Sequence, residues 1–396
     1  MSLNSIVSAE RPHIAFFGRR NAGKSSVVNA VTNQKISVVS DTLGTTTDPV
    51  QKAMELLPLG PVVIIDTPGF DDEGALGALR VERTREVLRK TDIAVLVVDG
   101  CVGLTDADKA LIREFDERRL PRLIVYNKSD LAGSAVPAGD GEIAVSALTG
   151  EGIEALKERL SVIVRDEEKE KRIVADLIRP GDTVILVIPI DGAAPKGRII
   201  LPQQQTLREL LDHHASVICC QPEELRSVLA GLTKKPALVI TDSQVFGRVG
   251  RDTPADIPMT SFSVLFARYK GSLEGLMRGA QALGTLKDGD RVLISEGCTH
   301  RRQCGDIGTV KLPAWIEGFS GAKPVFTFTS GGSFPDDLSA YRLIVHCGGC
   351  MLNEKEMQFR QQAADAAGVP MVNYGIAIAK MNGILDRALE PLLRKD

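Results

Sequence analysis

Residues 13–25 read HIAFFGRRNAGKS, an apolar strand that runs into a glycine loop and then into the start of a helix. Gly18 to Ser25 fit the pattern GxxxxGK[ST]. Glycines let such a loop wrap a phosphate chain, so that its N–H groups and the helix N-terminus face the anion. In that arrangement Lys24 reaches the β- and γ-phosphates and Ser25 ligates Mg2+. Gly18, Asn21, Ala22, Gly23 and Ser26 complete the expected cradle.

Four more elements follow in the order that a guanine nucleotide requires. VVIIDTPG (62–69) is a buried strand ending in DxxG, which aims Asp66 and Gly69 at Mg2+ and the γ-phosphate. RLIVYNKSD (122–130) ends in Asn127, Lys128 and Asp130. A carboxylate at that last position pairs with the N1–H and exocyclic amine of guanine, a pattern adenine does not offer. EIAVSAL (142–148) brings Ser146 and Ala147 to the guanine O6, and DTLGTTTDPV (41–50) supplies threonines for Mg2+. Together these elements read as a GTPase domain. It resembles the translation-factor-like GTPases of the Era and TrmE kind across about residues 10–165. The resemblance implies Thr46 as the switch Mg2+ ligand with Thr45 beside it, and Asn21 as a holder of K+. Phe70, not a glutamine, follows DxxG, so slow, K+-stimulated hydrolysis of GTP to GDP and phosphate is expected.

The chain as a whole fits two or three domains: 396 residues, 43% of them hydrophobic, can bury more than one core. A formal net charge of -3 and the lack of a polybasic run speak against nucleic acid as a partner. No apolar run approaches the roughly 18 residues of a membrane span. MSLNSIVSAERPHIAFFG lacks the pattern of a secretory signal, and seven cysteines without one point to a reducing, cytoplasmic setting.

The charged run RDEEKEKR (165–172) reads as a helix end and linker, so the GTPase domain is expected to span 1–172. Beyond it, short β-rich runs alternate with helical patterns, the sign of parallel sheets with crossover helices. There is also an internal repeat. IPMTSFSVLFARYKGSL (257–273) aligns with VPMVNYGIAIAKMNGIL (369–385) at an offset of 112, and GDTVILVIPID (181–191) with GDRVLISEGCT (289–299) at 108. The fold class is therefore α/β: a P-loop GTPase domain followed by two related α/β units with parallel sheets, at 173–280 and 281–396.

The repeat makes the cysteines informative. One strand end of the first copy reads Pro189-Ile190-Asp191; its counterpart reads Gly297-Cys298-Thr299-His300. PALVITDSQ (236–244) likewise corresponds to the thiol-bearing YRLIVHCGGC (341–350). The fold does not need these thiols. Carboxyl ends of parallel strands gather on one side, so Cys298, His300, His346, Cys347 and Cys350 are expected to converge. Three chemistries compete there: a redox dithiol at Cys347 and Cys350, tetrahedral zinc, or an iron–sulfur cluster on three thiolates. In the last, His300, His346 or Glu296 is the candidate fourth ligand, and Cys304 is read as a bystander.

The C-x-H…H-C-x-x-C pattern behind an N-terminal GTPase resembles the HydF family, the maturation GTPases of FeFe-hydrogenase, over essentially the whole chain. GTTTDPV (44–50) and Cys298, His300, His346, Cys347 and Cys350 carry the resemblance. It implies a 4Fe-4S cluster on Cys298, Cys347 and Cys350 and a metal-free first copy that homodimerises. It also implies a scaffold that takes a diiron precursor assembled with radical-SAM maturases and delivers it to apo FeFe-hydrogenase. The alternative is a ribosome- or tRNA-associated GTPase with structural zinc, against which the near-neutral charge counts.

Overall fold

The computed structural model describes residues 11–34, 49–69, 84–132, 139–169, 172–190, 199–297, 306–331 and 333–393. The chain divides into two compact units, residues 1–170 and 171–396.

The first unit is built on a six-stranded sheet in the order β2-β3-β1-β4-β5-β6. Its strands are β1 (His13–Gly18), β2 (Val50–Leu56), β3 (Gly60–Asp66), β4 (Ile93–Asp99), β5 (Arg122–Asn127) and β6 (Glu142–Ala144). All pairs are parallel except β2 with β3. The inner strands are near-continuous apolar runs because both faces are covered. Ile14, Phe16, Val95 and Val97 pack with Val27, Val28, Leu156 and Leu160 on one face. Phe17, Leu96 and Val98 pack with Leu111 and Phe115 on the other. The edge strand β2 is largely exposed.

The second unit holds two four-stranded parallel sheets. One comprises β7 (Thr183–Val187), β8 (Ser216–Cys220), β9 (Leu238–Thr241) and β10 (Met259–Ser261) in the order β10-β9-β7-β8. The other comprises β11 (Arg291–Glu296), β12 (Val325–Ser330), β13 (Leu343–His346) and β14 (Met371–Asn373) in the order β12-β11-β13-β14. In both sheets the first strand lies between the second and third, with the fourth outermost beside the third. The two copies read from the sequence therefore share one topology, and the expected correspondence of 236–244 with 341–350 holds as third strand against third strand.

The copies are also interlocked. The helix Leu273–Ala282, which ends the first repeat, lies against β14 of the second; the helix Leu385–Leu393, which ends the second, lies against β10 of the first. Gly279 makes the first approach possible: a Cβ there would sit 2.0 Å from the Met371 carbonyl oxygen. Arg387 fastens the second, donating to the carbonyls of Gly250 (2.7 Å), Thr253 (2.9 Å) and Pro254 (2.6 Å). One apolar core accordingly includes residues of both sheets, among them Val239, Met259, Ile294, Val345 and Leu389.

Candidate functional site

At the carboxyl end of β1 the glycine loop is shaped by what surrounds it. A Cβ on Gly18 would meet the Val97 carbonyl oxygen at 2.6 Å, and one on Gly23 would meet Asn127 Nδ2 at 2.1 Å. Asn21 and Gly23 both have left-handed backbone, with φ of 62° and 83°. Local backbone of this kind turns successive N–H groups into an anion-binding concavity. Lys24 begins the helix Lys24–Thr32, and its buried ammonium pairs with the Asp66 carboxylate at the end of β3. The Ser25 hydroxyl donates to the other oxygen of Asp66 at 2.9 Å. Three residues expected to serve phosphate and Mg2+ are thus in mutual contact.

The guanine-side residues are tied to the same loop. Asn127 donates through Nδ2 to the Ala22 carbonyl and accepts through Oδ1 from the Ala147 amide, both at 3.0 Å. Lys128 has left-handed backbone, and its ammonium lies 2.6 Å from Asp99. Burial opposes charge on Asp99, yet Lys128 and the Cys101 amide hold its carboxyl below the usual carboxylate range. Asp130 is exposed, Gly69 is half-buried just beyond β3, and Ser26 is half-buried in the first turn of the helix. Ser146 is buried and its hydroxyl accepts from the Thr149 amide at 3.1 Å. Arg19 is committed to the buried Asp108 at 3.3 Å. Thr45, Thr46 and Phe70 lie outside the described residues. Asp99 was not read from the sequence, although its signal was present: it ends β4 in register with Asn127 at the end of β5.

In the second unit, β11 and β13 are neighbours, with Ser295 paired to His346. The Cys347 amide donates to the Ser295 carbonyl at 2.9 Å, which closes the strand end into a turn. The Cys347 sulfur accepts from the Gly297 amide at 3.1 Å and from the Gly349 amide at 3.4 Å. A Cβ on Gly297 would lie 2.7 Å from Leu352 Cγ, so the backbone at 297 is held between Cys347 and Leu352. Cys350 is exposed. Asn353 then caps the helix Glu354–Ala366 by accepting from the Glu356 amide.

His346 and Glu296 have different surroundings. His346 is fully buried; Nδ1 lies 2.7 Å from the Cys347 carbonyl and Nε2 lies 3.0 Å from Arg360 Nη1. A carbonyl only accepts and a guanidinium only donates, so the ring is neutral with its proton on Nδ1. Burial, then the Arg360 charge, lower its pKa to about 4. Arg360 is itself fully buried, bonded also to Glu356 (2.8 Å) and the Gly331 carbonyl (3.0 Å). The buried Glu296 accepts from the Tyr374 hydroxyl at 3.2 Å, and burial together with Glu296 pushes the Tyr374 phenol above its ordinary range.

A buried lysine from the first repeat also enters this region. Lys270, last in the helix Phe262–Lys270, donates to the Gly349 and Leu352 carbonyls, each at 3.1 Å. A cavity between the repeats is lined by Lys270, Gly271, Cys347, Gly348, Met357 and Gln361. Lys270 carried no motif, and only the packing of one repeat on the other reveals it. Cys298, His300 and Cys304 lie outside the described residues, and among those described no three His, Cys, Asp or Glu side chains are grouped to hold a metal ion. No helix among them is long and apolar enough to cross a membrane.

Three family models match the chain. One described as the hydrogen maturase F dimerization domain covers residues 173–271, and the hydrogen maturase F tetramerization domain covers 274–391. A 50S ribosome-binding GTPase model covers 13–128. The first two together span more than half of the chain. Among curated proteins, the tRNA modification GTPase MnmE of Laribacter hongkongensis is 38% identical over 156 residues, 38% of this chain and 34% of that protein. MnmE of Prochlorococcus marinus is 36% identical over 171 residues, 41% of this chain and 36% of that protein. The match thus spans about a third of the length of these relatives. Among solved structures, Era of Aquifex aeolicus bound to GDP.AlF4- is 20% identical with a TM-score of 0.35, covering 52% of this chain and 91% of that one.

Proposed function

Because the chain belongs to the hydrogen maturase F family, we propose that it is a GTP-hydrolysing scaffold in hydrogenase maturation, carrying a 4Fe-4S cluster and delivering a diiron precursor to apo FeFe-hydrogenase. The observation that carries the cluster is the 3.1 Å contact from the Gly297 amide to the Cys347 sulfur. Cys298 directly follows Gly297 in the sequence, which supports reading the three cysteines as one site. Soft thiolates are the donors that iron–sulfur clusters take, and sulfurs accepting backbone N–H bonds are typical of such centres. Cys298, Cys347 and Cys350 would hold the group. Held by three protein sulfurs, such a cluster would leave room for one exchangeable ligand. Glu296, placed beside the Gly297–Cys347 contact, and His300 are the candidates for that position. His346, bonded at both ring nitrogens, instead supports the turn.

In the GTPase domain, Lys24 neutralises phosphate charge, Ser25 and Thr46 hold Mg2+ with Asp66 behind Ser25 and Thr45 beside Thr46, and Gly69 meets the γ-phosphate. Asn127, Lys128, Asp130, Ser146 and Ala147 select guanine. Asn21, on left-handed backbone, holds K+, which supplies positive charge while Arg19 is occupied by Asp108. Hydrolysis is slow and faster in K+ than in Na+. The partners are a second copy of the chain, the radical-SAM maturases and the apo-hydrogenase, in the cytoplasm. Likeness to the tRNA modification GTPases ends within the GTPase portion, so it brings no tRNA to the rest.

Anaerobic reconstitution tests the reading. Wild-type protein loaded in the presence of the maturases should be brown and should activate apo-hydrogenase, measured as hydrogen evolution; Cys298→Ala should lose both properties. Wild-type iron content and hydrogen evolution from Cys298→Ala would remove the cluster from the function.

A further inference from the structure

We propose that Lys270 is a positioning residue for the thiol-bearing turn, and that its ammonium sets how readily a cluster held there accepts an electron. The inference rests on reading that turn as a cluster site. Its first support is geometric. The ammonium is buried and bonds the carbonyls of Gly349 and Leu352, which flank Cys350 on both sides. It also lines the cavity onto which Cys347 opens.

The second support is the asymmetry of the repeat. At the offset of 112, Lys270 corresponds to Asn382. The helix Tyr374–Met381 of the second repeat lies against the turn that follows β9 in the first, where a Cβ on Gly247 would sit 3.5 Å from Asn382 Oδ1. Each repeat thus sends the end of one helix to the third-strand turn of the other. Beside the turn without thiols stands the neutral Asn382, whose amide donates to the Ile378 carbonyl of its own helix at 2.8 Å. The turn with thiols receives a cation.

Burying an ammonium is costly unless charge or hydrogen bonds compensate. A cluster on three thiolates is anionic, and charge and hydrogen bonding around such a centre set its potential. When dithionite gives up one electron and the cluster gains it, the added negative charge is stabilised by the nearby cation. Removing that cation therefore makes reduction harder.

The test uses full-length protein reconstituted with iron and sulfide, titrated potentiometrically with dithionite and followed by electron paramagnetic resonance. Lys270→Gln keeps amide donors for both carbonyls but loses the charge; Lys270→Arg keeps the charge. Lys270→Gln should lower the one-electron reduction equilibrium about tenfold, a shift of 59 mV, with wild-type iron content, and Lys270→Arg should stay near wild type. In apo-protein, amide hydrogen exchange across Gly349–Asn353 should rise more in Lys270→Met than in either variant. A wild-type potential in Lys270→Gln overturns the electronic role, and unchanged exchange in Lys270→Met overturns the positioning role. A wild-type protein that binds no iron would overturn the cluster reading itself, and this inference with it.

Discussion

Gly23 is where the nucleotide loop is least tolerant of change. Its φ of 83° and the 2.1 Å approach of Asn127 Nδ2 leave no room for a Cβ. Gly23→Ala should cost about 2 kcal/mol or more in strain, read as a lower melting temperature and weaker GTP binding in a nucleotide titration. Cys220 shows how burial controls a thiol. Burial, then the charges of Glu224 and Cys219, raise its pKa to about 11. Iodoacetamide at pH 8 should label it about a hundredfold more slowly than an ordinary thiol, because the thiolate is the nucleophile. The folded chain keeps this proton to higher pH than the unfolded chain does. Stability is therefore untouched below about pH 9 and falls as pH climbs toward about 11. At this scale the sequence was legible where chemistry imposes spacing, as at Lys24, Ser25 and Asp66. It was silent on Lys270 and Arg360, whose roles depend on partners 79 and 14 residues away, brought close by packing.

Elements of the second unit follow a duplicated plan. The repeat was legible because corresponding strands and caps keep their residues: Ser261 and Asn373, 112 positions apart, each cap the helix after the fourth strand. The exchange of the closing helices was not legible. An apolar stripe made to cover one fourth strand fits its duplicate equally well, so only coordinates decide which strand it covers. Arg387→Ala should destabilise the unit by about 3 kcal/mol, since several charge-assisted hydrogen bonds vanish at once. Amide hydrogen exchange distinguishes this from a general loss: protection should fall at Met259–Ser261 of the first sheet and persist at Met371–Asn373 of the second. Equal loss in both sheets would contradict the exchange.

For the molecule as a whole, length and composition anticipated several domains, and the family matches divide the second unit at 271–274. One of its apolar cores crosses that boundary, while another lies within the first copy. Residues 172–393 should therefore unfold in a single calorimetric transition, with equal calorimetric and van't Hoff enthalpies. Two separate transitions would mean that the halves are independent. The interlock also changes how truncations are to be interpreted. Trimming the last turns of the chain strips a cover from β10, more than a hundred residues upstream, and leaves the thiol-bearing sheet clothed. A defect mapped in that way would be blamed on the half that supplied the helix, when the injured half is the one that wore it.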